Sequence, residues 1–438
     1  MFENYIHPNS VKYADTKCEI EATVLDLPTI SSSGNSSLLI ETNKINNDDV
    51  KIKMRLYTPF EVACEPYDKI SFTSYPFVLG DNNESSYMYF LSKKTYLGAY
   101  TKYDVFVERP NGKPLISKFP INKMRSEKIL REYLDEDFAE FAISILFGDR
   151  AALSDELYSD FKAAGITHIM AVSGLHMSIW VYGLYVLMKK FRLKDKSSSI
   201  AAIMFSFCVM CFSSFSVSVV RAFIMTGVFF SGNLFSRKGD ALNSLGLAGF
   251  IICVFNPFAV YDVSFLLSFF ATLGIIVSLS FKPRFMRNYD IDPKSKLKKY
   301  ITEITYISLA ANLFVFPLTT AFFSSFSTLS FLSNILISFA VPICMVLAGL
   351  ITAFPSVKFI SIPLSFILKL FERYIFTVVH LIAKIPFSYI ETANVFITKC
   401  LPCFLIVTVL VLYYLKKKKF SFVPILPALS LALICALS

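Results

Sequence analysis

From about residue 169 onward the chain is a succession of apolar runs joined by short loops, and no other feature limits its fold so tightly. The hydrocarbon core of a bilayer is about 30 Å thick, and roughly 20 apolar residues in a helix cross it. Backbone in that layer must satisfy its own hydrogen bonds, as a helix does. The runs fall at about 169–188, 199–214, 217–235, 241–255, 260–281, 303–324, 329–353, 359–383, 399–415 and 420–437. Residues 199–235 are too long for one crossing, and the serine-rich Ser213–Ser218 divides them. The 359–383 run carries Lys369, Glu372, Arg373 and His380, which also suits a helix lying on the membrane surface.

The loops between these runs separate by charge. Loops 189–198, 236–240, 282–302, 354–358 and 416–419 hold 19 Lys and Arg, whereas loops 215–216, 256–259, 325–328 and 384–398 hold Lys384 alone. Basic loops stay cytoplasmic. The segment before residue 169 and the C-terminus are therefore expected outside. If 359–383 did not cross, Lys416–Lys419 would move outside, against the rule. The formal charge of +10 sits beside the spans: residues 169–438 carry +16, residues 1–130 are neutral and 131–168 carry −6. Topology alone explains this basicity, so it carries no weight for nucleic acid.

The part before the spans looks soluble. Lys51-Ile52-Lys53-Met54-Arg55-Leu56-Tyr57 alternates polar and apolar, the period of a half-buried strand. Residues 18–25, 37–42, 68–73 and 102–108 are weaker strand candidates, with turns at Ser31–Asn35 and Asn46–Asp49. Five strands in about 100 residues suit a small, OB-like β-barrel. Lys51, Lys53, Arg55 and Tyr57 share a cationic, aromatic-ended face of the kind single-strand binders use, and also of the kind any solvated strand shows. Residues 126–147 have amphipathic helical spacing, and residues 155–164 form a short helix ended by Gly165. The expected organisation is an extracytoplasmic β-domain over 1–120, an amphipathic connector over 121–168 and a transmembrane domain over 169–438. Met1–Asp15 is polar, so something other than a cleaved signal is expected to carry the β-domain outward.

Polar side chains in the spans need partners. Ser173, His176 and Met177 fall at helical spacing, with Gly174 and Ser178 as a small-residue pair. Arg221 enters the third span, Asp262 and Ser268 the fifth, and Asn312, Pro317 and Asn334 the sixth and seventh. Ser and Asn in spans mostly hold bundles together. His176 and Arg221 point instead to a wet path or a specific partner, and Asp262 is a candidate counter-charge for Arg221. Ser173 with His176 could form a nucleophile and base, but neither an orienting group nor an oxyanion site is identifiable. The four histidines are scattered and the Cys208/Cys211 and Cys400/Cys403 pairs have no partner pair, so neither metal nor cofactor is expected. Cys18 and Cys64 are candidates for a disulfide in an oxidising compartment.

Residues 161–176, Phe-Lys-Ala-Ala-Gly-Ile-Thr-His-Ile-Met-Ala-Val-Ser-Gly-Leu-His, closely resemble the signature of the ComEC-type competence family. Gly148-Asp149-Arg150, Arg221-Ala222, Asn256-Pro257, Ser264–Phe269, Phe316-Pro317-Leu318, Asn334, Pro342 and Gly349 continue the resemblance in order. It implies a channel in the cytoplasmic membrane for transforming single-stranded DNA, with an OB-type domain before it. Ser173, Gly174, His176, Arg221, Asp262, Ser268, Asn312 and Asn334 would line or brace the path. A DNA receptor, a separate nuclease, a cytoplasmic motor and self-association are partners in keeping with this role. Members usually begin with extra helices and often end in a metallo-β-lactamase-like domain, whose HxHxDH motif this sequence lacks. The chain is thus expected to be no enzyme: a short form, a truncated non-functional product or half of a split pair. A transporter or export channel for another solute is the alternative.

Overall fold

A computed structural model describes residues 12–391, apart from 31–34, 47, 81–83, 111, 150–152, 236–238, 281–295, 324 and 387. The expected spans at 399–415 and 420–437 lie outside the described residues, as do Arg150, Cys400 and Cys403.

Among the described residues, nine strands form one mixed sheet: β1 (Cys18–Val24), β2 (Thr29–Ile30), β3 (Ser36–Ile45), β4 (Asp48–Asp49), β5 (Lys53–Thr58), β6 (Lys69–Ser74), β7 (Phe77–Val78), β8 (Leu97–Tyr100) and β9 (Phe106–Glu108). The main path runs β7-β8-β5-β3-β1-β6-β9, with β2 and β4 beside β3. Neighbours are antiparallel except β5 and β8. A parallel pair needs a long crossover, and here it carries β6, β7 and helix α1 (Glu84–Ser92). Alternation does the sorting: Ile20, Ala22, Val24, Leu38, Ile40, Met54, Leu56, Ile70 and Phe72 point into one core. Each large side chain buried there contributes about 1.5–3 kcal/mol.

The expected Cys18–Cys64 disulfide is not formed; both thiols are free and buried. Cys18 opens β1, with its sulfur 3.4 Å from the Thr16 hydroxyl. Cys64 lies by Asp68, whose carbonyl accepts from Val24 N–H at the other end of β1. Six residues of strand separate the ends by ~20 Å at ~3.3 Å each, far beyond bridging distance. Burial, aided by Asp68, pushes the Cys64 thiol up to about 11, which keeps it unreactive.

The helical part begins with α2 (Lys118–Tyr133), α3 (Glu136–Phe147) and α4 (Asp155–Ala163). Then come α5 (Gly174–Lys190), α6 (Asp195–Phe212), α7 (Val217–Leu234), α8 (Ala241–Phe255), α9 (Val263–Ser280), α10 (Lys296–Phe323), α11 (Ser330–Ile337), α12 (Ala340–Ala353) and α13 (Lys358–Ala383). Helices thus occupy each expected span position from 169 to 383. By length and composition, α6, α7 and Thr302–Phe323 can cross a membrane, and α11 with α12, bent by 50°, makes a fourth. Ala241–Phe255 and Val263–Leu279 are apolar but shorter. Caps account for the trimming: Ser173 and Asp262 each start a helix inside an apolar run, while Asn256-Pro257 ends α8 at the edge of its run. Two short strands, β10 (Ser325–Ser327) and β11 (Tyr389–Glu391), pair antiparallel.

The connector is integral to the helical body. Ile129, Leu130, Phe141, Ile145 and Phe161 share one core with Val341, Cys344, Met345, Leu368 and Ile375. Phe138 stacks on Phe376 at 5.2 Å, and Phe141 meets the same ring edge-on. Asp135 pairs with Lys369 at 3.0 Å and Asp160 with His380 at 2.8 Å. The acidic connector therefore lies along the charged helix α13 and pairs with its basic groups.

A charged cluster with three buried members, Lys123, Glu127 and Glu140, sits beside this core. Lys123 Nζ lies 3.8 Å from Glu127 and 3.7 Å from Asp149, and Arg131 holds Glu140 at 2.8 Å. Burial, aided by Asp149 and Glu140, raises the Glu127 carboxyl to about 7, against the pull of Lys123 and Arg131. The folded state then binds a proton that the unfolded state releases near the ordinary 4.5. Stability contributed by this group is complete below about 4.5 and is lost as pH rises through about 7. Thermal unfolding of the purified protein across that window should show this loss. Glu127→Gln should flatten it, and an unchanged pH profile in the variant would remove Glu127 from the account.

Candidate functional site at the starts of three apolar helices

The conspicuous site is built where α5, α7 and α9 begin. Ser173 is extended and caps α5: its N–H donates to His176 Nδ1 at 3.2 Å, and its hydroxyl lies 2.9 Å from the same nitrogen. A backbone N–H can only donate, so Nδ1 accepts and the neutral ring carries its hydrogen on Nε2. Nε2 is buried near the Ile169 carbonyl without reaching hydrogen-bond geometry. The expected helical face of Ser173, His176 and Met177 is thus corrected: Ser173 reaches His176 as a capping box from outside the helix. Met177 packs with Val219 and Ala222 instead.

Arg221 lies in the second turn of α7 and is 5% exposed. One terminal nitrogen, Nη1, donates to the Ser268 carbonyl at 2.7 Å and to the Thr272 hydroxyl. A Cβ on Gly174 would sit 3.2 Å from the other, Nη2. Glycine there lets the guanidinium approach the start of α5. Nε is buried without a hydrogen-bond partner, and among the described residues no carboxylate lies within ion-pair distance of Arg221. The expected counter-charge is corrected as well. Asp262, fully buried, binds Lys93 of the β-domain at 2.6 Å and caps α9 through Ser264 N–H at 2.9 Å.

Lys93 belongs to a small docking joint. Asn256 Nδ2 donates to the Ser92 carbonyl at 2.7 Å, and Lys94 Nζ to the Phe255 carbonyl at 3.2 Å. The end of α1 thus rests on the Asn256–Asp262 turn, and Asn256 satisfies a carbonyl that the helix leaves open. Lys93, Lys94 and Thr272 escaped the sequence reading. Only Thr272 had a signal there, one helical turn after Ser268. Asn312 and Asn334 are half-buried on α10 and α11, and among the described residues no hydrogen bond links either to Arg221.

On the β-domain, Lys53, Arg55 and Tyr57 share the outer face of β5, and Lys51 precedes the strand. In the ladder Arg55 stands beside Gly98 and Tyr57 beside Tyr100. Phe77 covers Gly98, where a Cβ would lie 2.5 Å from its ring, and Lys102 Nζ sits 6.0 Å from the centre of the Tyr100 ring.

The sequence profile of the family described as Competence protein matches residues 145–417, from the end of α3 through α4 to α13. The chain belongs to this family. Over 203 residues it is 27% identical to ComE operon protein 3 of Bacillus subtilis (strain 168), covering 46% of this chain and 25% of that protein. Over 208 residues it is 26% identical to an uncharacterized protein of Aquifex aeolicus (strain VF5), covering 43% of this chain and 48% of that one. The matches thus span about a quarter and about half the length of these curated relatives. No solved structure matches. In this competence protein the matched region holds the Ser173–His176 cap, Arg221 and Asp262, while the β-domain lies before it.

Lys93→Met strands the buried Asp262 carboxylate and should weaken docking of the β-domain by roughly 1–3 kcal/mol. Limited proteolysis of the purified protein should then cut faster between the β-domain and α2. Adding Asp262→Asn should restore part of the resistance, as coupled partners do. Equal cleavage in wild type and Lys93→Met would mean that this pair does not hold the domain.

Proposed function

We propose that the chain is a channel that passes single-stranded DNA inward across the cytoplasmic membrane, with the β-domain outside as its receiving surface. The observation that carries this reading is Arg221: a buried guanidinium beside the start of α5 and the second and third turns of α9, with no carboxylate within ion-pair distance among the described residues. A permanent charge in such a place is costly unless something compensates it. A polyanion in transit does so, and helix starts add partial positive charge. Membership of the competence family supports DNA uptake as the role. Docking of α1 on the turn at 256–262 supports the orientation, because that turn belongs to the loops poor in Lys and Arg. The face carrying Lys53, Arg55, Tyr57 and Tyr100 offers cations and rings for a single strand. The reading gives the chain no bond-breaking step. A receptor, a nuclease and a cytoplasmic motor are partners it calls for, and copies of the chain could assemble together.

Two measurements test it. In a deletion strain, Arg221→Leu should reach the membrane at parental level and import DNA about ten- to a hundredfold more slowly. That corresponds to losing ~1.5–3 kcal/mol of charged hydrogen bonding to the passing strand. Arg221→Lys should keep part of the activity, and His176→Leu should behave like Arg221→Leu. Parental uptake by Arg221→Leu would take the residue out of the path; loss of the protein from the membrane would assign it to bundle assembly. For orientation, a cysteine placed at exposed Tyr103 should label in intact cells, and one at Arg192 only after permeabilisation. The reverse pattern would invert the topology.

A further inference from the structure

Helix α13 divides its residues sharply. Ser361, Ser365, Leu368, Glu372, Ile375, Val379 and Ile382 form a buried stripe, while Phe359, Ile362, Phe366, Leu370 and Leu381 face outward. An apolar outer face is what lipid accepts. Glu372 is the exception in the stripe: a carboxyl 0% exposed, at the middle of the helix, between the fully buried Leu368 and Ile375. Both of its oxygens are buried, and neither has a hydrogen-bond partner among the described residues.

The surrounding cations and dipoles are engaged elsewhere. Lys369, on the same helix, pairs with Asp135 at 3.0 Å, and Arg373 points to the exposed side. Across the interface, on α12, the Cys344 thiol lies close enough to feel its charge. From the connector, Arg131 is held by Glu140 at 2.8 Å. Tyr374 donates to the Leu336 carbonyl at 3.0 Å, and His380 is bound to Asp160 at 2.8 Å. An unpaired carboxylate in such a place is strongly disfavoured, so the group takes up a proton instead. A protonated acid without a partner is still disfavoured, because its donor and acceptor have given up water. Leucine would fill the stripe without that cost. What the carboxyl alone brings is the capacity to release a proton.

We propose that Glu372 is a proton-binding site of the membrane domain, loaded while the α12–α13 hairpin is packed on the connector and unloaded when that interface opens. The step is the dissociation of Glu372–COOH to the carboxylate, its proton passing to entering water; closure requires a proton to return. The site binds H⁺ and nothing else, and it does not depend on what the channel carries. Opening then releases one proton, so the open fraction rises about tenfold per pH unit once the open-state carboxyl is ionised.

The test uses the full chain in lipid nanodiscs and needs no DNA, so its outcome is separate from that of the uptake reading. Infrared spectra at neutral pH should contain a carboxylic-acid C=O band that Glu372→Gln removes. Hydrogen exchange of amides in 340–383, corrected for the intrinsic pH effect and measured in a Glu127→Gln background, should lose protection with rising pH when Glu372 is present and stay flat when Glu372→Gln is added. If the glutamine variant does not accumulate, Glu372→Leu, which suits the stripe, supplies the reference. Absence of the band, or the same pH response with and without Glu372, overturns the proposal.

Discussion

The first N–H groups of a helix have no partner within it, and in or near lipid water cannot be relied on to supply one. Where helices start is therefore where this chain spends its polar side chains. Ser173 and His176 close the start of α5, Asp240 accepts from Asn243 N–H at α8, and Asp262 serves α9. These caps fix how deep each helix begins. Through that depth they place Arg221 within reach of Ser268, Thr272 and Gly174. The same groups that satisfy backbone thus assemble the candidate site, and removing one would shift a helix as well as a contact.

Much of this was legible in the sequence because hydropathy and period are local. The apolar runs located the helices from 174 to 383, but the run 329–353 holds two helices bent by 50°, and α10 begins seven residues before its run. The alternation from Lys51 to Tyr57 gave the outer face of β5. What was hidden depended on distant partners. Asp262 sits two residues before Ser264 and so looked like a span residue, yet its charge is met by Lys93 from a different domain. Nothing around Lys93 marks it among other surface lysines. Cys18 and Cys64 were plausible partners as the only cysteines in their domain, but the length of β1 keeps them apart. The parallel β5–β8 pair was invisible for the same reason: strand pairing over some 40 residues leaves no periodic trace.

The connector shows how composition can mislead about depth. Nine acidic residues against three basic ones in 131–168 suggest a solvated linker. Yet Phe138, Phe141 and Phe161 surround Phe376, and Asp135 and Asp160 meet Lys369 and His380. The charges of α13 that had suggested a surface helix are the complement of that acidity. Read separately, each segment looks misplaced; together they form two polar pairs and share one core.

The β10–β11 pair fastens Ser325–Ser327 to Tyr389–Glu391. Strands that hydrogen-bond must lie within ~5 Å of each other, so both segments lie at one end of the helical body, and on one face of any membrane that body spans. Residues 328–388 are consequently a tethered excursion: whatever they do between, they leave and return on one side. If the bent α11–α12 unit goes through the bilayer, α13 is obliged to come back through it. The charged helix then has no freedom to rest on a surface, and its direction of insertion is dictated by a three-residue ladder at its far end.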